Sequence, residues 1–358
     1  MFKARVNQLK KDIKKHDLDA IFISSHSSIT YLTGYSNFSN IEREAYIFIG
    51  EDFAYIITDG RYAEAIQKQV PHLKLFERGN GKSIKDLFKK HSEVKKLGIE
   101  EDNLTVTEHK MLKKHFKNLK HFNLNRSIKD DEEIEKIEKA CQLGDRAFKF
   151  ILGKIKSGIT EKELAFEIEF FIKKNGAELS FPTIVAFGKN SSIPHHQTGD
   201  TKLEKGNFVL LDFGVKLNDY CSDMTRTVFF GKPSSKHLKM YDTVLNAQQK
   251  AVELIKKGER KTSKIDKAAR DYIISKDYPS IPHSLGHGIG LEVHESPHLS
   301  PRSKEELKEG MVFSIEPGIY LPGFGGVRIE DLFVLEKKGL RRLTKSVAPF
   351  SHFYEDTF

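Results

Sequence analysis

Two stretches of this chain each carry a pair of acids on either side of a turn, inside otherwise apolar, strand-like text. The first reads LLDFGVKLNDYCSDMTRTVFF and the second MVFSIEPGIYLPGFGGVRIEDLFVL. A hairpin turn centred on Leu217 and Asn218 sets Asp212 opposite Asp223, with Cβ atoms roughly 5 Å apart, and Cys221 opposite Gly214. A loop centred near Gly323 sets Glu316 opposite Glu330. Asp212 follows FVLL and Glu316 follows MVFSI, so these acids sit on strands leaving a core. Facing carboxylates in such a place repel, and they stay protonated unless a cation lies between them. The pattern therefore demands a β-rich C-terminal half built around bound cations. His287 supplies a nitrogen ligand.

The donor set bears on which cations. Four carboxylates and one imidazole favour Mn²⁺ or a similar divalent ion over a structural zinc site, which would use Cys and His. Co²⁺, Fe²⁺ and Zn²⁺ suit the same donors. Two ions ~3.5–4 Å apart share bridging carboxylates in such centres. Thr225 lies on the Asp223 face of its strand, placed to hydrogen-bond a ligand carboxylate. Cys221 lies on that face too and reads as a small packing residue. His195, His283 and His294 are the other histidines of interest. The glycines in HSLGHGIGLEVHE disfavour a helix, so that segment reads as irregular. His196, His298 and His352 read as inert surface residues.

At 358 residues the chain is long for one domain. The first part alternates strand and helix text. An amphipathic helix carries Phe2, Val6, Leu9 and Ile13 on one face. LDAIFISS, TYLTGY, AYIFIG and FAYIITD read as strands, and RYAEAIQKQV and SIKDLFKKH as helices. That alternation predicts an α/β domain with a buried mixed sheet over residues 1–124. Beyond it comes a long helix with acids early and lysines late, as the helix dipole favours. A second helix opens on a capping box of Thr160 and Glu163 and stops at Gly176. After Leu179 the text turns to strands and loops, with one further helical stretch near 236–257.

The net charge is +9, yet the lysines are spread through amphipathic helices, which is a solvated surface rather than a nucleic-acid site. No apolar run reaches the ~18 residues of a membrane span, and the N-terminus has no apolar signal core, so a cytoplasmic protein with no membrane partner is expected. Two cysteines without CxxC spacing form no disulfide framework. No GxGxxG or Walker pattern marks a nucleotide site.

LDFGVKLNDYCSDMTRT, HSLGHGIGLEVHE, SIEPGIY and GVRIED resemble the metal-site motifs of the pita-bread metallopeptidases. LDAIFISSHSSITYLTGY and YIITDGRYAEAI resemble the creatinase-type domain of their proline-specific branch, which includes aminopeptidase P and prolidase. The resemblance spans essentially the whole chain. It implies an α/β creatinase-type N-terminal domain and an α+β pita-bread catalytic domain over 125–358. It implies two divalent metals: Asp212 chelates one, Asp223 and Glu330 bridge both, and His287 and Glu316 complete the other. His195 and His294 match substrate-binding and transition-state histidines, His283 a pocket histidine, Arg328 an arginine near the substrate's proline, and Tyr320 a tyrosine behind the ligands. Ser284 and the absence of tryptophan depart from many relatives. The implied reaction is hydrolysis of an Xaa-Pro bond at a peptide N-terminus, with Glu316 as general base and His294 stabilising the oxyanion. YIITDGRYAEAI leans this expectation toward an aminopeptidase, with a dipeptidase as the alternative and a non-catalytic scaffold remote. A homodimer is expected.

Overall fold

The computed structural model describes residues 1–39 and 41–347; His352 lies outside them. The chain divides into two compact units, Met1–Asn125 and Arg126–Phe358.

The first unit runs α1 (Phe2–Lys15), β1 (Ala20–Ile23), α2 (His26–Thr33), β2 (Tyr46–Gly50), β3 (Ala54–Asp59), α3 (Ala63–Gln69), β4 (Lys74–Arg78), α4 (Ile84–Lys90), β5 (Lys96–Ile99), α5 (Val106–Lys113) and β6 (Asn118–His121). Its six strands form one mixed sheet in the order β4-β3-β2-β1-β5-β6. β1 and β2 are buried throughout, since apolar clusters cover both faces. α1 buries Val6, Leu9 and Ile13. The expectation of a strand at TYLTGY is wrong. Thr30–Thr33 end α2, whose N-cap Ser25 accepts a hydrogen bond from the Ser28 amide and whose C-cap Gly34 adopts φ +72°. The two caps outweigh the β-branched and aromatic text between them.

The second unit opens with α6 (Asp131–Leu152) and α7 (Glu161–Lys174), both started by capping boxes, Asp130 with Glu133 and Thr160 with Glu163. Then follow β7 (Glu178–Leu179), β8 (Ile184–Phe187), β9 (Asn207–Phe213), β10 (Val215–Leu217), β11 (Tyr220–Cys221), β12 (Met224–Phe230), α8 (Ser235–Lys256) and α9 (Thr262–Ile274). The chain closes with β13 (Gly286–Gly288), β14 (Glu295–Leu299), β15 (Val312–Ile315), β16 (Gly318–Leu321), β17 (Gly325–Arg328), β18 (Asp331–Glu336) and β19 (Gly339–Arg342). α9 was not expected; its N-cap, Lys261, makes no side-chain capping bond, and Ile265, Ala269 and Ile273 form its buried stripe.

Two cores hold this unit. One joins α6 and α7 to Val185, Val209, Leu211, Phe213 and Val228 on β8, β9 and β12. The other joins α8 and α9 to Phe313, Ile315, Ile319, Val327 and Phe333 on β15 to β18. Each helix pair thus backs one of the two acid-bearing ribbons. Burying the helix-facing side chains stabilises each layer by about 25 cal/mol per Å² of apolar surface. The opposite faces are left to carry polar groups.

Candidate metal centre

The first ribbon differs from expectation by one turn position. β12 pairs with β9 so that Thr225, not Asp223, lies opposite Asp212. β10 pairs with β11 through Leu217 and Tyr220, and Cys221 faces Lys216 rather than Gly214. The turn residues are therefore Asn218 and Asp219, with φ +50° and +71°. Asn and Asp tolerate the left-handed region that such a two-residue turn needs, and Leu217 does not. Asp223 falls in the gap between β11 and β12. At that break a side chain on Gly214 would collide with the Ser222 carbonyl, so only glycine allows the strands to close.

The second ribbon pairs as read. Tyr320 meets Gly326 and Gly318 meets Arg328 beyond a loop containing Gly323 at φ +77°, and Ile315 meets Asp331 further along. Glu316 and Glu330 lie between these two ladders, at the same register. The Glu330 amide donates to the Thr225 carbonyl at 3.1 Å, which ties the two ribbons together.

His287 is not on an irregular segment but on the short strand β13, between β14 and β15. Side chains at Gly286 or Gly288 would strike the carbonyls of Ser314 or Ser296, so the glycines set how deeply His287 enters. Its Nε2 lies 3.4 Å from Glu316, 3.7 Å from Asp223 and 3.9 Å from Glu330. Asp223, His287 and Glu330 each offer a ligand atom, all within 4.8 Å of one another, and all three are buried. Asp212 stands beside this trio, its Oδ2 accepting from Arg328 Nη2 at 2.6 Å.

The electrostatics of the group are those of a cation site. Asp212 Oδ1, Asp223 Oδ1 and Glu330 Oε1 are buried and meet no hydrogen-bond donor among the described residues. A buried carboxylate oxygen left so costs free energy unless something positive satisfies it. Burial, then repulsion from Glu330, pushes the Asp223 and Glu316 carboxyls well above the usual range. Burial and Asp212 push Glu330 up to about 7. Burial and His294 push His287 down to about 3, leaving the neutral imidazole that a metal requires. These residues fit one or more divalent cations.

The remaining expected residues cluster around the acids. Thr225 Oγ1 donates to Glu330 Oε2 at 2.8 Å and accepts from Arg328 Nε at 3.0 Å. Arg328 Nη1 donates to the Tyr320 hydroxyl at 2.9 Å, and that hydroxyl lies 2.9 Å from His283 Nε2. Burial holds His283 down to about 4 and Tyr320 up to about 12. The His294 ring meets the His287 ring edge-on at 4.4 Å. His195 is exposed, and its charge is among those that disfavour protonation of His283 and His294, after burial. Cys221 is buried, its thiol pushed up to about 11 by burial, and it packs rather than ligates.

Sequence reasoning missed three groups. Ser314 Oγ accepts from the His287 amide at 3.0 Å and donates to Glu316 Oε1 at 3.3 Å. Arg226, fully buried, ties Asp331 Oδ1 at 2.6 Å and donates to the carbonyls of Thr225 and Glu330. His196, read as an inert surface residue, lies 2.9 Å from the buried carboxylate of Glu161.

Comparison with known proteins gives this arrangement its place. The model of metallopeptidase family M24 matches residues 135–337, and that of the creatinase/prolidase N-terminal domain matches residues 5–130. The chain belongs to the Xaa-Pro peptidase branch of family M24. It is a metallopeptidase with the pita-bread fold. An Xaa-Pro dipeptidase of Pyrococcus furiosus is 36% identical over 96% of this chain and 98% of its own length. The structure of an Xaa-Pro dipeptidase from Bacillus anthracis superposes with TM-score 0.90 at 36% identity, covering 98% of this chain and 99% of that one. An X-Pro aminopeptidase from Thermotoga maritima superposes with TM-score 0.82 at 34% identity, covering 92% and 96%. The lean toward an aminopeptidase is thus less well supported than its alternative. Among the described residues, no helix is long and apolar enough to cross a membrane.

Proposed function

We propose that this M24 peptidase is an Xaa-Pro dipeptidase working with two divalent cations, Mn²⁺ foremost, held by Asp212, Asp223, His287, Glu316 and Glu330. The observation that carries the metal reading is the set of buried, donorless oxygens on Asp212, Asp223 and Glu330 beside a neutral His287. Preference for a dipeptide rests on the relatives named as dipeptidases, which are similar over nearly their whole length.

When bound, the cations supply an attacking water of lowered pKa and a Lewis acid for the scissile carbonyl. Everything else falls to the chain. Glu316 takes the proton of the attacking water and passes it to the leaving proline nitrogen. Ser314 holds its Oε1 and leaves Oε2 for that work. His294, braced edge-on by His287, donates to the developing oxyanion. Arg328 grips and orients Asp212, and its Nη1 fixes the Tyr320 hydroxyl against His283 beside the proline. His195 closes over the substrate from the exposed side. Proline suits such a site because its amide has no N–H to satisfy and a fixed φ.

Product analysis separates the two substrate readings. Incubation with an Xaa-Pro dipeptide and with Xaa-Pro-Yaa-Zaa should release the first residue from the dipeptide and leave the tetrapeptide intact. Efficient cleavage of the tetrapeptide would make the chain an aminopeptidase instead.

A further inference from the structure

The loop that presents His195 is wrapped around one carboxylate. Glu161 is the first residue of α7 and is 0% exposed. Its Oε1 accepts from the Phe187 amide at 2.8 Å and from Asn190 Nδ2 at 2.9 Å. Its Oε2 accepts from the Gly199 amide at 2.9 Å and lies 2.9 Å from His196 Nε2. A carboxylate oxygen accepts, and the tautomer of His196 that carries its proton on Nε2 donates to it. One side chain thus gathers donors from residues 187 to 199, both ends of a segment that contains His195. The helix start suits the charge, because free amides and the dipole favour an anion there.

The neighbours of His195 are held from both sides. His196, half-buried, turns inward onto Glu161 while His195 stays exposed. The His196 amide closes a tight turn onto the Ile193 carbonyl at 3.1 Å. On the other flank the Pro194 carbonyl accepts from Arg328 Nη1 at 3.4 Å, the same arginine that grips Asp212. Further along, Thr198 Oγ1 donates to the Thr183 carbonyl at 3.0 Å and accepts from the Val185 amide at 2.9 Å. His195 itself makes no such bond among those described; its direction is set by the residues beside it.

We propose that Glu161 and His196 form a positioning pair that aims His195 at the substrate, so that an apparently idle histidine outside the metal cluster sets turnover. This rests on the substrate-binding reading of His195. Neither residue touches metal or substrate; both act through the backbone on either side of His195. A histidine displaced by about 1 Å costs up to ~100-fold in rate, which bounds the expected effect.

The test is a double-mutant cycle on Xaa-Pro hydrolysis, with metal content and thermal midpoint recorded for each protein. His196→Leu should lower kcat/KM between about 10- and 100-fold at unchanged metal content. His196→Gln keeps a donor toward Glu161 and should recover most of that loss. Glu161→Gln, which sets an amide donor against donors already in place, should resemble His196→Leu or be worse. In a His195→Ala background, His196→Leu should cost less than about twofold, because the residue it acts through is gone. Full activity of His196→Leu, or the same fold loss with and without His195, overturns the pair. Full activity of His195→Ala alone would instead overturn the role of His195, and the positioning pair with it.

Discussion

The two ribbons that carry the acids are built on different turns and reach the same end. The first turns on two left-handed residues, Asn218 and Asp219, and staggers its acids: Asp212 sits within β9 and Asp223 in the gap before β12. The second turns on a wider loop around Gly323 and leaves Glu316 and Glu330 opposite one another between two ladders. Three of these four acids occupy interruptions of the strand pairing. A continuous ladder would send neighbouring side chains to opposite faces and hold pairs at fixed separation. Breaks free the chain to converge several oxygens on one point. The ribbons differ also in charge compensation. Asp212 has a fixed cation in Arg328, whereas Asp223 faces the neutral His287 at 3.7 Å and pairs with no cation among the described residues.

That difference ranks the proposed ligands. Asp223→Asn removes an oxygen with no substitute, and kcat/KM should fall by about three orders of magnitude or more, with loss of bound metal measured on the same sample. Near-normal turnover with metal retained would mean that the break before β12 does not serve ligation. The largest stability effect is expected behind the second ribbon. Arg226→Met removes the buried cation 2.6 Å from Asp331, leaves it the more distant Arg342 at 3.8 Å, and should cost about 3 kcal/mol in urea unfolding. A loss under about 1 kcal/mol would show that Thr344 and Gln248, which also donate to Asp331, suffice.

The turns themselves can be set against each other. Asn218→Val should destabilise by about 1–2 kcal/mol, since a β-branched residue resists the left-handed region. Gly323→Ala should cost about 1 kcal/mol, because its φ is left-handed although open space surrounds it. Equal and negligible losses would remove turn geometry as the cause of the two registers. The smallest expected effect concerns an acid of the opposite kind. Burial works to raise the Glu295 carboxyl, but Lys129 and Arg126 overcome it and hold the group below its ordinary value of 4.5. Its contribution to stability is therefore present above that pH and lost as the pH falls through the lower folded value. In acid titration followed by circular dichroism, Glu295→Gln should flatten this limb; an unchanged limb would count against the pairing.

Why one ribbon could be read from the sequence and the other only nearly so has a physical reason. Moving a two-residue turn by one position shifts every cross-strand partner by two and leaves every side chain on its original face. The apolar alternation of FVLLDF and MTRTVFF is blind to that shift. Only turn chemistry discriminates, and Asn-Asp was the better reading than Leu-Asn. The same priority of caps over composition explains TYLTGY, a strand-like run that Ser25 and Gly34 make helical. The cluster of Asp223, His287 and Glu330 was legible because donor residues in apolar flanks leave few alternatives. Glu161 and Arg226 were not, because a buried charge carries no mark in the sequence that separates it from a surface one. Their partners, from Phe187 to Gly199 and at Asp331, come together only in the fold.

Metal analysis of purified protein, paired with Xaa-Pro hydrolysis before and after chelation, tests the account most directly. It should give two divalent ions per chain after equilibration with Mn²⁺, activity abolished by chelator, and recovery on adding Mn²⁺ back. Full activity in a chelated sample with no bound ion, or saturation at a single ion per chain with full turnover, would contradict it.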